Sequence, residues 1–219
     1  TPLYSSAASD VYKRQSGGTE SNNLGIKGAA LRAKDRGNRI VTSEIEHMSV
    51  LNPCKALMKQ GFEVAYVPVD RFGLVDPENV RKELSDKTIL ISVHYANGEI
   101  GTVQPIREIG ALAREKGMML HVDAVAAVGK VPIDVKKDNI SLMTISSNDM
   151  YGPRGVGALY IEKGAKLMPI VEGGGQERGL RSGTENLASI IGFGEAARLA
   201  KQEMASESER LSRMRDRLI

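Results

Sequence analysis

Thr88–Asp123 reads TILISVHYANGEIGTVQPIREIGALAREKGMMLHVD, and this stretch decides the fold. Thr88–His94 is a short β-rich run. Ile106, Ile109, Leu112 and Ala113 then recur three and four apart, the spacing of one helix face, with Gly117 placed as a C-cap. Met118–Asp123 returns to a β-rich run. Strand, helix, strand implies a right-handed βαβ unit and a parallel sheet. The alternation continues outward on both sides. Arg39–Ser43, Glu63–Val69, Leu142–Ser146 and Gly157–Ile161 read as further strands, and Ser49–Lys59 as a helix ending at Gly61. The fold class is α/β with a mostly parallel sheet flanked by helices. Ligands in such sheets sit beyond the carboxyl ends of the strands, so those ends hold the candidate residues.

Composition narrows the function. The 219 residues are 41% hydrophobic and 26% charged, with a net charge of +3. That excludes a disordered chain. With 23 Gly and 1 Cys, a collagen-like or disulfide-dense scaffold is excluded too. The small positive excess and the scarcity of aromatics give no reason to expect nucleic acid. No apolar run is long enough to span a bilayer. No signal pattern appears, and the single Cys54 cannot form an internal disulfide; a cytoplasmic location is the expectation. Thr1–Gln15 is polar, shows neither periodicity, and reads as a non-native or disordered leader. Residues 16–200 read as one large domain. Ser189 onward reads as a long helix, with 201–219 leading toward a further, smaller domain.

Several strand ends carry polar groups. Ser16-Gly17-Gly18-Thr19 opens a helix where close backbone approach and free N–H groups suit a phosphate; ordinary capping is the alternative. Asp123 suits a protonated heterocycle nitrogen, or a helix N-cap. His47 suits stacking on a flat ring or proton transfer, or a histidine satisfied by Glu44 and Glu46. Ser146–Gly155 (SSNDMYGPRG) is an unusual polar strand exit. Gly173–Thr184 (GGGQERGLRSGT) is a long Gly-rich loop with two arginines. Cys54 reads as a small buried residue rather than a reactive thiol.

Taken in order, SGGTESNN, EHMSVLNP, ANGEIGTVQPI, HVDAVAAVGKVPIDV, SSNDMYGPRGVGALYI and GGGQERGLRSGTEN resemble the cysteine desulfurases. These are the NifS/IscS branch of the class V aminotransferases, which use pyridoxal 5′-phosphate (PLP). The resemblance covers about Ser16 to Ile219. It implies the fold-type I PLP-transferase large domain and a homodimer. It also implies L-cysteine as substrate class, and sulfur delivery to an iron–sulfur scaffold or sulfur carrier. It places Gly18, Thr19, Ser146 and Thr184 at phosphate, Thr184 at that of the neighbouring subunit. It places His47 over the pyridine ring and Asp123 at its nitrogen.

The chain departs from that pattern where the chemistry is hardest to replace. The family has Ser-x-His-Lys where this sequence has Ser146-Ser147-Asn148-Asp149. Asp149 therefore stands at the catalytic lysine position, and a carboxylate cannot form an imine. Asn148 replaces a phosphate-binding His. Gly98 and Ala126 replace an Asn and a Gln that hydrogen-bond the cofactor. The family's catalytic Cys and substrate-carboxylate Arg lie beyond this chain. The expectation is a desulfurase-family protein impaired in standard PLP chemistry, with PLP weak and non-covalent. Asp149 is then a candidate ligand of an iron or iron–sulfur site. The alternatives are a non-enzymatic homologue that binds scaffold or carrier partners, and an aminotransferase-like enzyme with non-covalent PLP. Lys130 is the nearest candidate amine in sequence.

Overall fold

The computed structural model describes residues 11–218. Seven strands form one sheet among the described residues: β1 Val11–Gln15, β2 Arg39–Ser43, β3 Glu63–Val67, β4 Thr88–His94, β5 Met119–Asp123, β6 Leu142–Ser146 and β7 Gly157–Ile161. Their spatial order is β1-β7-β6-β5-β4-β2-β3. Strands β3, β2, β4, β5 and β6 pair in parallel, whereas β7 is antiparallel to both β6 and β1. The helices are α1 Gly18–Arg32, α2 Met48–Met58, α3 Pro77–Glu83, α4 Ile106–Glu115 and α5 Leu187–Arg215. The mostly parallel, helix-flanked α/β sheet is the one expected.

Alternation along the strands divides the core between the two faces of the sheet. Ile40, Leu90, Leu142 and Leu159 join Leu24 and Ile26 of α1 and Leu57 of α2 in one cluster. Their neighbours Val41, Ile91, Met143 and Ala158 join Ile106, Ile109 and Leu112 of α4 and Phe193 of α5 in the other. Both faces being covered explains why β4, β6 and β7 are buried at every residue. Gly117 does close the chain after α4, at φ 63°.

One expectation needs correction. Val11–Gln15, read as part of a non-native or disordered leader, are not disordered but form edge strand β1; Thr1–Asp10 lie outside the described residues. Backbone pairing to β7 carries this segment rather than side-chain pattern. Lys13 and Gln15 are buried, burial pushes the Lys13 amine down, and Gln15 Oε1 has no hydrogen bond among the described residues. At the other end α5 continues unbroken through residue 200, so no break in the chain marks the expected boundary at 200/201.

Gly25 lets helix α1 pack directly against His121 of β5. A Cβ there would stand 2.7 Å from His121 Cδ2. The His121 ring cannot retreat, since Ser92 Oγ and Thr144 Oγ1 hold its two nitrogens at 2.9 and 3.1 Å. Gly25→Ala in the full-length protein is therefore expected to cost about 2 kcal/mol by overpacking. Gly194→Ala, in α5 with open space around the added carbon, should instead gain about 0.5–1 kcal/mol of helix stability. Urea midpoints of the two variants check the contrast; a neutral Gly25→Ala would show that α1 is not seated this tightly.

Candidate cofactor site

The carboxyl ends of β2, β4, β5 and β6 surround a cavity of about 540 Å³, closed on one side by the start of α1. Gly18, Thr19, His47, Asp123, Ser146 and Asp149 all line it. Four parallel strands and the start of α1 thus bring together residues up to 131 positions apart (Gly18 to Asp149), because parallel strands end on the same edge.

Asp123 closes β5 and is buried. Its Oδ1 accepts the Val125 N–H at 3.0 Å and its Oδ2 accepts from Asn22 Nδ2 at 2.7 Å. Burial nevertheless pushes its carboxyl above the usual carboxylate range, helped by the charge of Glu46, against those two bonds and nearby His47. A buried carboxylate short of positive charge is well matched to a cationic ring N–H. The Val125 bond belongs to a turn over 125–130, and no helix starts there, so the helix-cap alternative for Asp123 is not realised.

His47 is the N-cap of α2 and is exposed toward the cavity. Its Nδ1 accepts the Ser49 N–H at 3.1 Å and lies 2.7 Å from Ser49 Oγ. Neither Glu44 nor Glu46 satisfies it. Glu46 turns inward, where its Oε1 accepts from Ser43 Oγ at 2.6 Å and the His94 N–H at 2.9 Å, and pairs with His94 Nδ1 at 3.1 Å. Burial opposes protonation of His94, but the hydrogen bond and charge of Glu46 carry its pKa upward. Sequence reading missed this buried pair, and missed Asn22; neither sits in a spacing pattern that reports contacts between distant strands.

Gly18 can carry no side chain without conflict, since a Cβ would come 2.9 Å from Val125 Cγ2. With Thr19 and the free N–H groups of the first turn of α1, it forms a cradle suited to an anion. Gly98 and Ala126 face each other across the wall: a Cβ at Gly98 would meet Ala126 Cβ at 3.6 Å. The two small residues leave one shared space.

Not every predicted residue reaches this cavity. Asn148 is exposed at the start of a short 3-10 turn, Asn148–Met150, and does not line it. Thr184 is exposed and also outside it. The loop holding Thr184 is tied to α1 by Arg181, whose Nε and Nη2 donate to Glu20 at 2.7 and 3.2 Å. Lys130 is exposed and lines a separate cleft against α5, which Asp149 also borders. Among the described residues no lysine lines the cavity, and no three His, Cys, Asp or Glu side chains converge to hold a metal ion. Cys54 is fully buried, and burial pushes its thiol up to about 12, as befits a packing residue. No helix among the described residues is long and apolar enough to cross a membrane.

The residues fit one half of PLP and not the other. Asp123 suits the ring nitrogen, and Gly18, Thr19 and Ser146 suit the phosphate. Asp149 offers no amine for covalent attachment. The architecture and this cavity define the large domain of a fold-type I PLP-dependent transferase. A family model described as Aminotransferase class-V matches residues 15–219, and the chain belongs to that family. Cysteine desulfurase IscS 1 of Archaeoglobus fulgidus is 52% identical over 204 residues, covering 93% of this chain and 53% of that protein. Cysteine desulfurase IscS of Methanosarcina thermophila is 53% identical, covering 93% and 50%. A NifS-like protein structure superposes with a TM-score of 0.92 at 38% identity, over 94% of this chain and 57% of that one. A structure of SspA in complex with cysteine gives 0.83 at 41% identity, over 85% and 55%. The chain spans about half the length of the curated relatives it matches.

Proposed function

We propose that the whole protein is a cysteine desulfurase-family protein of iron–sulfur cluster assembly, with L-cysteine as its substrate class, impaired in standard PLP chemistry because Asp149 stands where the family has its lysine. It works as a cytoplasmic homodimer that serves a scaffold or sulfur-carrier protein, and it holds PLP without a covalent bond. The observation that carries this reading is Asp149 on the wall of a cavity that still brings together Gly18, Thr19, His47, Asp123 and Ser146. Asp123 would keep the ring nitrogen protonated, His47 would stack on the ring, and Gly18, Thr19 and Ser146 would receive the phosphate. Thr184 would serve the neighbouring subunit's site, and Asn148 would reach the phosphate only after a local rearrangement of its turn. Bound PLP supplies an electron-withdrawing ring that stabilises negative charge on a substrate carbon. The similarity to IscS proteins and to a cysteine-bound neighbour supports the substrate class.

The test is a PLP titration of the full-length protein, followed by absorbance and by sulfide release from cysteine. Weak binding that dialysis reverses, with sulfide release near background, is expected. Rapid sulfide release would show that another amine replaces the lysine. No PLP binding at all would favour a non-enzymatic homologue.

Asp149 also supports a role at iron. The described residues do not complete a metal site, so a thiolate from elsewhere in the full-length protein would have to join it. Iron-reconstituted full-length protein should then change its visible spectrum on Asp149→Ala. An unchanged spectrum removes Asp149 from the ligand set.

A further inference from the structure

Asn22 and Ser49 line the same cavity, and the family resemblance gives neither a role. Asn22 is fully buried on α1 and Ser49 is buried in the first turn of α2. Asn22 Nδ2 lies 2.7 Å from Asp123 Oδ2 and 2.8 Å from Ser49 Oγ. An amide nitrogen carries two hydrogens and accepts nothing, so both hydrogens are committed. The opposite amide orientation would set an oxygen against the Asp123 carboxylate. Ser49 Oγ thus receives a hydrogen from Asn22. Its own hydrogen points to its other close neighbour, His47 Nδ1 at 2.7 Å.

The Ser49 main-chain N–H reaches the same ring nitrogen at 3.1 Å, and a backbone N–H can only donate. Two donors therefore converge on His47 Nδ1, which must present its lone pair. A neutral imidazole has one N–H, and here it falls on Nε2. Nε2 makes no hydrogen bond among the described residues, and the ring borders the cavity. Asn22 Oδ1 is buried and without a partner among the described residues.

We propose that Asn22 and Ser49 are positioning residues that lock His47 as its Nε2–H tautomer and join it to Asp123 in one hydrogen-bonded chain. A ligand in the cavity then exchanges a proton with His47 only through Nε2. The ring-nitrogen partner and the ring-stacking group are held in fixed relation before any ligand arrives. Their use in PLP chemistry rests on the function proposed above; the tautomer itself does not.

The test is long-range ¹H–¹⁵N NMR of the histidine rings in the full-length protein without PLP. His47 is assigned by its loss in His47→Gln. The expected result is a single Nε2–H pattern for His47. Ser49→Ala leaves only the longer main-chain N–H on Nδ1 and should admit a detectable Nδ1–H population beside the Nε2–H form, and Ser49→Thr, which keeps the hydroxyl, should restore the single pattern. Asn22→Ala should likewise loosen it. An Nδ1–H pattern in the unaltered protein overturns the proposal. So does a Ser49→Ala spectrum identical to it. Failure of PLP to bind would leave all these spectra unchanged, so the two readings fail separately.

Discussion

An Asp149→Lys variant of the full-length protein is expected to gain the absorbance band of covalently attached PLP, and to keep the cofactor through gel filtration. The protein with Asp149 should do neither. Asp149 lines the cavity together with His47 and Asp123, and the function proposed above sets it at the position of the family's lysine. A carboxylate has no nitrogen to attack the cofactor's carbonyl, while a lysine amine supplies one. It also puts a negative charge near a dianionic phosphate, which a lysine reverses. The gain should fall short of full family affinity. On the proposed reading Gly98 and Ala126 each cost a hydrogen bond worth about 1 kcal/mol net, and the two together would weaken binding roughly 30-fold. Because their side chains would touch, restoring both (Gly98→Asn with Ala126→Gln) should not be simply additive. If Asp149→Lys yields no band even at high PLP, the cavity has lost the cofactor altogether, and a role at iron or in partner binding takes its place.

Acid is expected to destabilise the protein through His121. This residue has no solvent exposure, and burial pushes its pKa from an ordinary 6.5 to about 3. In the unfolded chain the ring takes up a proton below about pH 6.5, while the folded protein keeps it neutral until about pH 3. The unfolded state binds more protons across that window, so stability falls as pH falls through it. The full loss is on the order of 4 kcal/mol by pH 3. The geometry agrees with a neutral ring, since Ser92 and Thr144 hydroxyls serve its nitrogens and no carboxylate touches it. Urea midpoints at pH 7.5, 6, 5 and 4 check the slope. His121→Gln, even if less stable throughout, should flatten it; an unchanged slope would assign the acid sensitivity to other groups. His94 acts in the opposite direction, since its raised pKa favours the charged ring beside Glu46. Its contribution is present below the ordinary histidine pKa and is lost as pH rises through the raised value.

Much of the fold was legible in the chain. Six of the seven strands fall within two residues of their β-rich runs, and the stripe from Ile106 to Ala113 became α4. Such patterns are local, because strand and helix periodicity decide which side chains can reach a core. Strand β1 escaped for the converse reason. VYKRQ has no apolar pattern, and only the open edge of β7 makes it a strand. The site was legible in part. Gly18, Thr19, His47, Asp123 and Ser146 stand at strand ends or helix starts, where α/β sheets place ligands, and they meet at one cavity.

The sequence by itself determined the α/β alternation and the family, since both are written in residue identity and spacing. Only the tertiary structure decided how those residues are coupled. Asn22 and Asp123 are 101 positions apart, yet they share a hydrogen bond because Gly25 lets α1 settle onto β5. Which proton His47 carries, and that Asn148 and Thr184 stand away from the cavity, follow from the directions of side chains in the packed chain. Residue spacing along a sequence carries no record of those directions.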